Sequence, residues 1–172
     1  MRKISKVVVT TLAATLALSL TSCTGAGPNA ATRQINRVTD GGEAVIFENG
    51  YDIRISNLLL VSVGESTTVL VGNIVNRSEE ADQLLTITTA RTRGVLTGES
   101  ILRTNKPLFF EGDSANAKAI FTGEDLKPGS TVEIGIGFAR AGRVIVRVIV
   151  RDKSDIYAGV TADALAVTPA IK

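Results

Sequence analysis

Val132–Val150 reads VEIGIGFARAGRVIVRVIV, and this stretch decides the fold. Val132, Ile134, Ile136 and Phe138 alternate along its first half, and Val144, Val146, Val148 and Val150 alternate along its second. A period of two belongs to strands with one buried face. Both apolar rows are even-numbered, so they share a face only if opposed residues have an even sum, because a slip of one turns every side chain over. Phe138 opposite Val144, closed by Ala139 and Arg143, meets that condition and leaves Arg140-Ala141-Gly142 as a three-residue loop. Gly142 then falls where a type I turn followed by a bulge needs a left-handed residue. The same register sets Glu133 opposite Ile149 and diagonal to Arg147 and Arg151, which allows cross-strand ion pairs of small energetic value.

Just upstream, Leu126-Lys127-Pro128-Gly129 suits a type II turn, with Pro128 fixing one dihedral and Gly129 accepting a positive one. Further out, Tyr51–Val63 begins with Tyr51, Ile53 and Ile55 in alternation, then turns continuously apolar from Leu58 to Val61, as a strand between two apolar layers does. Thr67–Val75 follows after a Gly64-Glu65-Ser66 turn. Asn76-Arg77-Ser78-Glu79-Glu80 is a polar connector, and Leu84–Thr89, Pro107–Phe110 and Ala115–Phe121 are further extended candidates. Six or seven strands fit between Glu43 and Tyr157, with no long helical period. The expectation is an all-β domain over residues 43–157, an antiparallel sandwich, with residues 158–172 as a loosely ordered C-terminal tail.

The N-terminus is of another kind. Arg2, Lys3 and Lys6 precede Val7–Leu20, an uncharged apolar run shorter than the roughly 20 residues a spanning helix needs. That is the shape of a secretory signal. It ends in Leu20-Thr21-Ser22-Cys23, which resembles the bacterial lipobox. Residues 1–22 are expected to be a lipoprotein signal peptide cut between Ser22 and Cys23, with Cys23 carrying a diacylglycerol thioether. An ordinary signal peptide cut later, after Ala26, is the other reading. Two or more acyl chains hold a protein on a membrane where one holds only marginally. Residues 23–42, rich in Gly, Ala, Asn and Thr, read as the lipidated N-terminus and a flexible tether, about 25 Å in r.m.s. span. The expected location is the extracytoplasmic face of the cell membrane.

Composition narrows the chemistry. In 172 residues there is no His and no Trp, one Cys and one Met. Losing residues 1–22 removes three basic residues and leaves sixteen against seventeen acidic ones, so no nucleic-acid footprint remains. A lone Cys forms no disulfide within the chain. A serine hydrolase needs a base beside its nucleophile, and neither His, Ser-x-x-Lys nor Gly-x-Ser-x-Gly occurs. No catalytic residue and no cofactor is expected.

Gly72-Asn73-Ile74-Val75-Asn76 followed by Ala81-Asp82-Gln83-Leu84, then Leu126–Gly129 and Phe138–Gly142 before a Val-rich strand, resemble the periplasmic copper chaperone superfamily called PCu(A)C. They resemble more closely its small actinobacterial envelope lipoprotein relatives. The resemblance covers most of residues 51–150 and implies a cupredoxin-like or immunoglobulin-like sandwich. It also implies soft Met and His ligands for copper. Here His is lacking and Met1 leaves with the signal. Ala115–Phe121, roughly where the family's His-x-Met pair sits, offers only Asn116 and Lys118 as polar groups. The resemblance therefore keeps the scaffold without the metal site.

Four smaller features have ordinary explanations. Glu79, Glu80 and Asp82, or Glu111 with Asp113, are acidic neighbours of the kind that bind hard cations, and solvated loops account for them. Asp52 and Glu133 could be drawn as a glycosidase pair, and outward strand charges account for them. Asn76-Arg77-Ser78 matches a glycosylation acceptor, and a turn-forming Asn accounts for it. Of Phe109 and Phe110, the pleat turns one outward, a partner or lipid contact unless it packs at an edge. The expected function is a non-catalytic binding or interaction module taking an envelope protein or a glycan. The alternatives are a copper-handling protein, and a cell-envelope hydrolase or its accessory.

Overall fold

The chain alternates short strands and turns from Asp40 to Leu165, the residues described by the structure, a computed structural model. The expected signal peptide, Cys23 and the tether as far as residue 39 lie outside the described residues, as do residues 166–172. In chain order the strands are β1 Gly42–Glu48, β2 Tyr51–Gly64, β3 Thr67–Asn76, β4 Asp82–Thr88 and β5 Val95–Gly98. They continue with β6 Ile101–Leu102, β7 Leu108–Phe109, β8 Ala117–Thr122, β9 Thr131–Phe138 and β10 Arg143–Asp152, followed by a 3-10 turn at Asp155–Tyr157. The sheet curls in the order β5-β8-β3-β2-β10-β9-β4-β6, with β1 on β2 and β7 on β3. The all-β expectation holds. β1, β5 and β6 are additional to the strands named from the sequence.

β2 carries the architecture. Ile53 and Ile55 face the main core, yet so do Leu58 and Leu60, which have the opposite parity. The switch occurs at Asn57, whose φ is +52°, within a register break between Ser56 and Leu59. A bulge of this kind adds one residue and re-aims the strand. Leu59 and Val61 then point the other way, into a second buried cluster with Val69 and Val160. The continuous apolar run is therefore a strand with cores on both sides. Its first half pairs with β1 (Ile46 opposite Ile53), and its last residues pair with β10 (Leu60 beside Val150). The β2–β10 pairing is parallel, so the sandwich is not wholly antiparallel as expected.

The β9–β10 hairpin has the expected faces with a different register. Val144 lies opposite Ile136, and the Phe138 N–H donates to the Gly142 carbonyl at 2.7 Å. The shift is two residues, so both apolar rows stay on one face and Gly142 keeps its positive φ of +82°. Glu133 sits opposite Arg147 instead of Ile149. The cause is a long-range contact. Asp82, buried at the start of β4, accepts the Arg140 and Ala141 N–H groups at 3.0 and 2.9 Å and its neighbour Gln83's at 2.7 Å. The Ala139 N–H donates to the Gln83 carbonyl. Asp82→Ala strands these donors and is expected to lower stability by about 2 kcal/mol, read from a denaturant midpoint at unchanged slope. The Pro128-Gly129 turn is as expected: the Ser130 N–H reaches the Lys127 carbonyl, and Gly129 has φ +85°.

The expected boundaries of the domain shift at both ends. Gly41 and Gly42, read as tether, are packed: a Cβ on Gly41 would collide with the Asn57 backbone, and one on Gly42 with the Arg147 carbonyl. The Gly41 N–H also donates to Asn57 Oδ1 at 3.0 Å, and Asp40 pairs with Arg151 at 3.2 Å. These glycines serve close approach, and flexibility is not what they provide. At the other end, Val160, read as loose tail, is buried against Leu59, Val61 and Val69, with Tyr157 beside it. Burial, and next the Asp40 carboxylate, push the Tyr157 phenol above its usual range, with Arg151 opposing.

Candidate functional site: a groove at the β1–β2 hairpin tip

The β1–β2 turn is Asn49-Gly50, with φ of +52° and +84° at its two central residues, closed by Glu48 opposite Tyr51. Two positive φ values are the signature of the tight turns that match strand twist, and Asn-Gly supplies them cheaply. On β1, Ala44 and Ile46 face the core while Val45 and Phe47 face out, Phe47 with 76% of its surface exposed. An open groove of about 700 Å³ runs beside this tip. One wall is Phe47–Asp52, the other is Arg77–Glu80 of the β3–β4 connector, and Arg140 of the β9–β10 turn closes one end. A second, smaller cleft of about 400 Å³ between Phe47 and Val144 shares Phe47 and Glu48 with the first.

The connector wall is fixed by polar contacts. Asn76, fully buried at the end of β3, donates from Nδ2 to the Glu80 and Leu102 carbonyls at 2.8 and 2.9 Å and accepts the Ser78 N–H at 2.9 Å. Ser78 Oγ accepts the Asp52 N–H, and the Arg77 N–H donates to the Asp52 carbonyl, so the two walls are tied together. Thr104 Oγ1 donates to the Ser78 carbonyl at 2.8 Å. The Asn76-Arg77-Ser78 pattern is thus a turn whose Asn amide is buried and engaged with two carbonyls. Within the groove Arg140 pairs with Glu80. The Glu80 carboxylate, by hydrogen bond and then by charge, holds the Arg140 guanidinium above its usual range, and Tyr51 adds a smaller push in the same sense. Asp52 pairs with Arg54 at 2.9 Å. The result is an amphiphilic surface with an exposed aromatic ring, a half-buried Tyr51 and paired charges on stiff walls.

The other expected features are dispersed. Asp52 lines this groove, whereas Glu133 faces a separate shallow site beside Thr88 and Arg143, so they form no carboxylate pair. Of the acidic neighbours read as solvated, Asp82 and Glu111 are turned inward onto the β9–β10 turn and onto Lys118. Phe110 is fully buried and Phe109 is half-buried, and the outward Phe is Phe47. The Asn-Gly dipeptide between apolar alternations, Ala44 and Ile46 before and Tyr51 and Ile53 after, is the signal that could have located this tip.

No family model matches the chain, and no curated protein matches it. Solved structures do. An apo PCuAC domain from PmoF1 superposes with a TM-score of 0.54 at 15% identity, over 64% of this chain and 98% of that one. A copper-bound PCuAC domain from PmoF2 gives 0.52 at 18%, over 64% and 97%. The apo PmoF2 PCuAC domain gives 0.53 at 18%, over 66% and 97%. The domain therefore has the PCuAC fold. Beyond Met1 and Cys23 the sequence has no His, Met or Cys, and among the described residues no three Asp or Glu gather at one point.

Proposed function

We propose that this chain is an exported lipoprotein, held at the outer face of the cell membrane by a diacylated Cys23, whose PCuAC-type sandwich is a non-catalytic binding module for an envelope protein or glycan. The observation that carries this reading is the exposed Phe47 ring beside a groove whose walls are pinned by Asn76 and Asp82. A large exposed aromatic on a rigid frame is what binding surfaces use as an anchor. β1 rises about 20 Å from Gly42 to Glu48, and the groove lies at its Glu48 end. The variants Phe47→Ala and Arg140→Ala are expected to weaken co-purification of the partner from detergent-solubilised membranes at least tenfold. Both variants should keep the wild-type denaturant midpoint, because both side chains are exposed. Unaltered co-purification would remove the groove from the reading.

The fold favours a second reading, a role in copper handling, because the copper-bound PmoF2 domain shares it. Oxygen and nitrogen donors are what this sequence would bring to copper within the sandwich. Titrating the full chain with Cu(I) against a chromophoric chelator separates the two: tight one-to-one binding supports copper handling, and failure to compete supports the binding module.

A further inference from the structure

We infer that this chain clamps its Pro107–Glu111 segment onto β8 with an amide and a buried ion pair, Asn116 and Lys118–Glu111, and that the closure needs no metal. Asn116 immediately precedes β8 and Lys118 is its second residue, in the stretch Ala115–Phe121 that offers no soft ligand. The Asn116 side chain takes hold of the segment twice, donating from Nδ2 to the Pro107 carbonyl at 3.1 Å and accepting the Phe109 N–H at 2.9 Å. Its own N–H donates to the Phe109 carbonyl at 3.1 Å. Lys118 Nζ lies 3.1 Å from Glu111 Oε1, at an angle outside hydrogen-bond geometry, with the two side chains only 7% and 15% exposed. An ammonium buried to that degree is retained only when a charge faces it. Between the two grips Phe110 is fully buried, and its N–H donates to the Gly72 carbonyl of β3. The segment is thus joined to β3 on one side and β8 on the other by groups that are all present in the chain.

This inference is independent of the hairpin-tip groove, and its test leaves that groove untouched. The full chain is melted with and without Cu(I) under reducing conditions, alongside Lys118→Leu, Glu111→Gln and the double variant. The melting temperature of the wild type is expected to move by less than about 1 °C with Cu(I). Each single variant should lose about 10 °C, because one charge is left buried alone, and the double variant should recover most of that loss. A Cu(I)-dependent rise of several degrees that Lys118→Leu abolishes, or single losses that simply add in the double variant, would overturn the inference. Should a single variant fail to fold, acylation of wild-type lysines decides. Lys118 is expected to react at least tenfold more slowly than the exposed Lys127, and equal rates would overturn the clamp.

Discussion

Asn76→Ala is expected to lower the unfolding free energy by about 3 kcal/mol, a large fraction of what a domain of this size has to lose. The side chain is fully buried and makes three hydrogen bonds, so its removal leaves the Leu102 and Glu80 carbonyls and the Ser78 N–H without their partner. Stranding a buried polar group costs more than the average bond contributes, because the lost partner is not replaced by water. Asn76→Asp should be at least as damaging, since an oxygen would then face two carbonyl oxygens. Both effects are read from denaturant midpoints. A loss below about 1 kcal/mol for Asn76→Ala would show that the connector, and with it the groove wall, does not depend on this residue. The substitution also separates structure from binding: Asn76→Ala should weaken partner capture only as far as it unfolds or loosens the domain, whereas Phe47→Ala should weaken it in a fully folded protein.

Cys23→Ala should shift the protein almost completely from the membrane to the soluble extracytoplasmic fraction. Each buried methylene contributes about 0.8 kcal/mol to membrane affinity, so losing two acyl chains removes far more than any contact the sandwich could supply. Fractionation of cells carrying wild type and variant reads this directly. Equal membrane retention of the two, with no acyl mass on the N-terminal peptide of the wild type, would contradict the lipid anchor and the location built on it.

The sandwich was legible where its evidence is local. Alternation in Val132–Phe138 and Val144–Val150 gave the faces of β9 and β10, and the run Leu58–Val61 correctly indicated cores on both sides of β2. Register was less accessible, because the two-residue shift in the last hairpin is set by Asp82, more than fifty positions away in the chain. The parity switch at Asn57 was hidden for a similar reason: a bulge has no local pattern beyond an Asn that tolerates positive φ. Composition misled at two kinds of residue. Gly41-Gly42 looked like linker, whereas their missing Cβ atoms let β1 touch Asn57 and Arg147. Glu111 and Asp82 looked solvated because carboxylates usually are, and only tertiary contacts supply the Lys118 ammonium and the backbone donors that hold them inside. The groove itself was the least legible, since its walls come from three turns far apart in sequence and its exposed ring from a strand outside the alternation first noticed.

We propose that the hairpin tip binds a partner in the envelope. A photo-crosslinking residue at position 47 of the full-length protein in intact cells tests it, with position 156 as a control, because Ile156 is 82% exposed and lies outside the groove. A discrete adduct from position 47 that is absent from position 156 and lost with Arg140→Ala is the expected result. No adduct at 47, or the same adducts from both positions, would contradict it.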